Sequence, residues 1–160
     1  MLVLINPTCP SRGITENKHS TDADSHLPRM RVCMLSTHTD CESCFTFWSI
    51  TCSECPSVLV VYNVFRNLLF VRGELIIADN LYLAVLSESF NFLDSIGLKL
   101  SIVNNPSLVK ITKSFVSLRA VGALGGNLEI AGNVALTLVE KGSLNGLIQV
   151  GGTLQISSSR

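Results

Sequence analysis

Beyond residue 57 this chain has no cysteine and no histidine; all six cysteines and the three histidines, His19, His26 and His38, lie in the first third. A Ser-His-Asp set would therefore have to bridge two dissimilar segments, which argues against nucleophilic catalysis. Charge is scarce as well. Only 15% of residues are charged, 12 basic and 12 acidic, and they are scattered singly. No basic stripe forms, so a nucleic-acid partner is not expected. No apolar run approaches the roughly 20 residues that span a bilayer, so no transmembrane segment is expected. Met1 to Ile5 is apolar, but no positive region precedes it and Asn6, Pro7 and Cys9 follow at once, which does not read as a signal peptide. There is no N-glycosylation sequon, since Pro106 breaks Asn105-Pro106-Ser107. Paired carboxylates are also lacking: Glu74, Asp79, Asp94 and Glu129 are dispersed.

What is present is apolar. Hydrophobic residues make up 47% of 160 residues, ample for the core of one ordinary domain. The polar stretch Thr15 to Pro28 has no apolar period and is expected to be poorly ordered. Composition breaks near Cys55-Pro56-Ser57. The reading is a cysteine-containing N-terminal segment over 1–57, partly disordered, and a repeat domain over 58–160.

The second segment repeats itself. A Leu-x-Ile pair recurs at Leu75/Ile77, Leu100/Ile102, Leu128/Ile130 and Leu154/Ile156, at spacings of 25, 28 and 26 residues. Five residues after the leading leucine stand Asn80, Asn105 and Asn133; eight after it, Leu83, Leu108 and Leu136; eleven after it, Leu86, Ile111 and Val139. Four before it stand Val71, Ile96, Leu124 and Val150, with glycine close behind. Phe65/Leu68, Phe90/Leu93, Phe115/Leu118 and Leu144/Leu147 keep one three-residue spacing, and Val121-Gly122-Ala123 accounts for the longer third copy. Such a period is the signature of a solenoid, in which each repeat buries its apolar face only against its neighbours. Strand alternation sends Leu and Ile inward and the middle residue outward. The outward residues Ile76, Ser101, Glu129 and Gln155 are thus the candidate binding face. Asn80, Asn105 and Asn133 are expected to form an internal ladder, because an amide both donates to and accepts from adjacent turns.

The pattern F-x-x-L-x-x-I-G-x-x-L-x-I-x-N-N-P-x-L, clearest from Phe90 to Leu108, resembles the receptor L domain, the leucine-rich-repeat-like module of insulin and epidermal growth factor receptors and of microbial or protist surface proteins. The resemblance covers about Val58 to Ser157. It implies a right-handed parallel β-helix, mainly β, with short helical or irregular corners. It also implies a place outside the cell or on its surface, a protein or peptide partner, no cofactor and no catalysis. Two turns depart from the family pattern, at Ala78-Asp79-Asn80-Leu81 and Ala131-Gly132-Asn133-Val134. The fourth copy also lacks its asparagine, so the repeat domain reads as incomplete at its C-terminus, a fragment of a longer protein.

Cys41-x2-Cys44-x7-Cys52-x2-Cys55 is the sharpest local motif. It admits three readings. Two knuckles could present four thiolates to zinc, though the gap is short, with His38 as a substitute ligand. Together with Cys9 and Cys33 the cysteines could instead form a disulfide-bonded cap, or stay reduced. The alternative function, an intracellular zinc-knuckle protein on a solenoid scaffold, follows from the first. Gly122-x-x-Gly125-Gly126 lacks the Lys-Ser/Thr of a phosphate loop and reads as a solenoid turn.

Overall fold

The computed structural model describes residues 29–31, 46–47, 49–55, 58–65, 67–123 and 125–157. Fifteen short strands follow one another in the chain. The first seven are β1 (Arg29–Arg31), β2 (Thr46–Phe47), β3 (Ser49–Ser53), β4 (Val60–Tyr62), β5 (Phe70–Val71), β6 (Glu74–Ala78) and β7 (Val85–Ser87). The rest are β8 (Ser95–Ile96), β9 (Lys99–Val103), β10 (Lys110–Thr112), β11 (Ala120–Val121), β12 (Leu128–Ala131), β13 (Leu138–Val139), β14 (Gln149–Val150) and β15 (Leu154–Ser157). They wind into a β-solenoid of about four turns, walled by three parallel sheets. The long wall orders its strands β1-β3-β6-β9-β12-β15, a four-stranded wall β13-β10-β7-β4, and a five-stranded wall β14-β11-β8-β5-β2. The corners are irregular; among the described residues there is no helix.

Alternation within each strand makes the core. Leu75, Leu100 and Leu128 stack in one register column and Ile77, Ile102 and Ile130 in the next, all buried. Leu86 and Ile111 fill the four-stranded wall, Val71, Ile96 and Val121 the five-stranded one. In the last coil the same inward positions are partly uncovered: Leu154 is 54% and Ile156 59% exposed.

The stack begins upstream of the boundary expected at residue 57. β3 pairs with β6 in register, Ile50 opposite Leu75 and Cys52 opposite Ile77, and β1 pairs with β3 beyond it. Ile50, Cys52, Cys55 and Val61 thus stand 25 residues before Leu75, Ile77, Asn80 and Leu86. The insertion in the third copy also needs correction. Val121 pairs opposite Ile96, and Gly122 donates its N–H to the Ile96 carbonyl as Gly97 does to Val71. The three added residues therefore fall between Gly122 and Gly126, after the core valine rather than at it, because the wall position must keep a branched apolar side chain. Leu124, expected at that position, lies outside the described residues.

Two corners turn through left-handed backbone in successive coils. One uses Glu54, Asp79, Asn104 and Gly132, the other Phe65, Phe90, Phe115 and Leu144, all with φ between 53° and 66°. The glycine corner works by close approach instead. A β-carbon on Gly97 would fall inside the Arg72 carbonyl oxygen of the coil below. Gly97→Ala is therefore expected to cost about 1–3 kcal/mol through a forced coil displacement. Urea unfolding checks this, and an unchanged midpoint would refute the backbone contact.

Candidate functional site

On the long wall, Ile76, Ser101, Glu129 and Gln155 stand in one outward column. Their exposure is uneven. Gln155 is exposed, Ile76 and Glu129 are half-buried, and Ser101 is 3% exposed, so it is not part of an open face. The serine side chain is short and sits between two longer ones. Lys99, two residues before it on the same face, reaches across to Glu129 at 2.8 Å. The outward neighbours Ala78, Val103 and Ala131 are small. This wall is shallow, and its charges are largely spent on each other.

Behind it the asparagines stack. Asn105 Oδ1 accepts from the backbone N–H and the Nδ2 of Asn80 at 3.1 and 3.0 Å. Asn133 Oδ1 accepts from the same two groups of Asn105 at 2.9 and 3.1 Å. Each Nδ2 also donates to a strand carbonyl one coil away: Cys52 from Asn80, Ile77 from Asn105 and Ile102 from Asn133. All three side chains are buried. The column satisfies backbone groups that stacking removes from water. A second column, not anticipated from the sequence, does the same at another corner. Ser89, Ser114 and Ser143 accept from the backbone N–H of Val64, Ser89 and Ser114, and are themselves buried. The recurring Ser at one offset was its signal.

The cysteine motif takes on a different meaning. Cys52 is the inward strand residue opposite Ile77, and the Cys55 N–H donates to Asn80 Oδ1 at 3.1 Å, so Cys55 begins the asparagine column. Both are buried, with sulfurs 4.0 Å apart, about twice the length of a disulfide bond. Cys41 and Cys44, which a zinc site would require, lie outside the described residues, as do Cys9, Cys33 and all three histidines. Among the described residues no three His, Cys, Asp or Glu side chains gather as metal ligands would. Gly122, Gly125 and Gly126 form a closed turn, the N–H groups of the latter two donating to the Gly122 carbonyl at 2.8 and 3.0 Å, which leaves none of these donors for a phosphate. Asp94 is bound to Arg119 and Glu129 to Lys99.

The chain matches no protein-family model, and neither the curated proteins nor the solved structures hold a match to it. No helix of the described residues is long and apolar enough to cross a membrane. Function must be read from the surface itself.

One region of that surface gathers exposed apolar side chains on a single wall. On the four-stranded wall the outward column runs Val60, Val85, Lys110, Leu138. Beside it Leu59, Ala84, Val109 and Thr137 are joined coil to coil by backbone bonds of 2.8–2.9 Å. The adjoining corner adds Leu81, Tyr82 and Val134. Leu59, Tyr62, Leu81, Tyr82, Val109, Val134 and Leu138 are each 42–59% exposed. Together they give this wall and its corner a concentration of exposed apolar side chains of the kind that marks an interaction site. The sequence concealed it because these residues sit between the periodic inward positions and share no single residue type.

Proposed function

We propose that this chain is a non-enzymatic binding or surface-structural module of a cell-surface or extracellular protein, recognising a protein or peptide through its flat solenoid walls and corner loops. The observation that carries the reading is the straight register of outward side chains. In every wall successive coils place equivalent residues about 4.8 Å apart, the repeat on which extended ligands are matched. The likeness of Phe90 to Leu108 to the receptor L pattern supports the same class and the extracellular setting. Lys99 with Glu129 and Lys113 with Glu88 form isolated ion pairs on separate walls rather than one acid–base cluster.

The test is selection from a random peptide display library on the immobilised chain. Peptides sharing a pattern, and losing affinity when wall residues are changed, are the expected result. Recovery of no enriched pattern would overturn the module reading. Compartment is tested separately by thiol titration under denaturing conditions with metal analysis. Fewer than four titratable thiols and no zinc are expected; four or more with stoichiometric zinc would favour the zinc-knuckle protein.

A further inference from the structure

Of the asparagines in this chain, only Asn145 is followed by glycine. The Leu147 N–H donates to the Leu144 carbonyl at 3.1 Å and closes a tight turn with Asn145 and Gly146 at its centre. The two coils before it close the same corner between Phe90 and Leu93 and between Phe115 and Leu118, around Asn91-Phe92 and Val116-Ser117. Glycine suits the last corner because the coils approach closely there: a β-carbon on Gly146 would stand 3.0 Å from the Val116 carbonyl oxygen. The missing β-carbon also leaves the Gly146 nitrogen open to the side chain before it. That nitrogen donates to no described residue, and the exposed Asn145 amide has no hydrogen-bond partner among them. The ladder is the opposite case. Asn80, Asn105 and Asn133 are buried with the oxygen and nitrogen of each amide engaged. Asn127 Oδ1 likewise accepts from the Thr153 N–H at 2.8 Å.

We infer that Asn145 is a modification site, deamidating spontaneously in the folded protein, and that isoaspartate formed there releases the corner of the last coil. The Gly146 nitrogen bonds to Asn145 Cγ, the Cγ–Nδ2 bond breaks, and ammonia leaves with the proton that the Gly146 nitrogen gives up. Water then opens the resulting succinimide at either carbonyl. Opening at Cγ gives aspartate, which keeps the length of the main chain. It adds one negative charge to a stretch, Gly142 to Ser157, that otherwise carries none. Opening at the backbone carbonyl gives isoaspartate, whose main chain runs through Cβ and Cγ and is one atom longer. A four-residue turn closed by a single hydrogen bond has no slack for that atom. Leu147, which packs against the core from the end of this turn, loses its bond to Leu144. The inference is independent of the module reading above, since water is the only co-reactant.

The test incubates the full chain at mildly alkaline pH, folded in buffer and unfolded in urea, and follows each asparagine by peptide mass spectrometry that separates aspartate from isoaspartate. Loss of the Asn145 amide at comparable rates in the two samples is expected, with Asn80, Asn105, Asn127 and Asn133 unchanged in the folded one. Asn145→Gln should lose the modification, because its longer side chain would have to close a less favourable six-membered ring. Its circular dichroism should stay that of the parent chain, since the Asn145 side chain is exposed. Hydrogen exchange then reads the corner. The Leu147 amide should lose protection in the isoaspartate fraction and keep it in the aspartate fraction. An Asn145 amide retained in the folded chain but lost in urea would overturn the inference, because the turn would then hold the two groups apart. Faster loss at a ladder asparagine in the folded chain would overturn it as well. Equal protection of Leu147 in both fractions would refute the released corner.

Discussion

Asn105→Leu is expected to remove about 3–6 kcal/mol of stability, enough to unfold an ordinary domain of this size. The substitution nearly conserves volume, so packing is not what is lost. The side chain of Asn105 holds Asn80 from its oxygen. From its nitrogen it donates to the Ile77 and Val103 carbonyls and to Asn133 Oδ1, all within 3.1 Å. Leucine leaves the buried Asn80 N–H without its acceptor and takes the amide donor from the Ile77 and Val103 carbonyls and from Asn133 Oδ1, at about 1–3 kcal/mol for each group left unpaired before relaxation. The loss is not confined to one coil. In a stack where each coil contacts only its neighbours, a fault in the middle uncouples both halves. Urea unfolding followed by circular dichroism measures it. Ser107→Ala serves as a control, because its exposed bond to the Leu81 carbonyl is worth less than about 1 kcal/mol. A shift for Asn105→Leu no larger than the control's would refute the ladder as a stabilising device.

The same column shows what the sequence could and could not reveal. Asn80, Asn105 and Asn133 were legible because the ladder accepts one residue type and repeats it at a fixed offset from Leu-x-Ile. The coil before them was not. There Ile50, Cys52 and Cys55 fill the places of leucine, isoleucine and asparagine. The Cys pair reads as a thiol motif to any search that weighs chemistry before register. A buried thiol behaves as a small hydrophobe, so Cys52 fits an isoleucine position on packing grounds. Cys55 needs only its backbone N–H to join the column, a requirement that leaves no mark on the side chain. The three-residue insertion was detected but misplaced, because Val121 and Leu124 are equally apolar and only strand pairing shows which one enters the wall. The outer surface was least legible of all. Ser101 alternates with inward residues as an exposed one should, yet its short side chain lies beneath its neighbours; one strand read alone does not contain that information.

Phe90→Ala is the second large effect, about 3–5 kcal/mol, from a cavity in the middle of an aromatic stack. The Phe90 ring lies 5.0 Å from both Phe65 and Phe115, with interplanar angles of 13° and 1°. The ring spacing matches the coil repeat, so removing one ring takes a face from both neighbours. Its backbone stands at φ 57°, a conformation that costs a bulky residue about 1–2 kcal/mol and that alanine does not relieve. Phe90→Ala therefore loses the compensation and keeps the strain. Phe90→Leu should lose far less, about 1–1.5 kcal/mol, since Leu144 occupies the equivalent place in the last coil at φ 56°. Phe90→Gly separates the two contributions. It leaves the same cavity but adopts positive φ freely, so it should be no less stable than Phe90→Ala, whereas in an ordinary strand interior glycine is the worse of the two. Thermal unfolding of the three variants decides the matter. If glycine falls clearly below alanine, the left-handed corner is not what the phenylalanine stack holds in place.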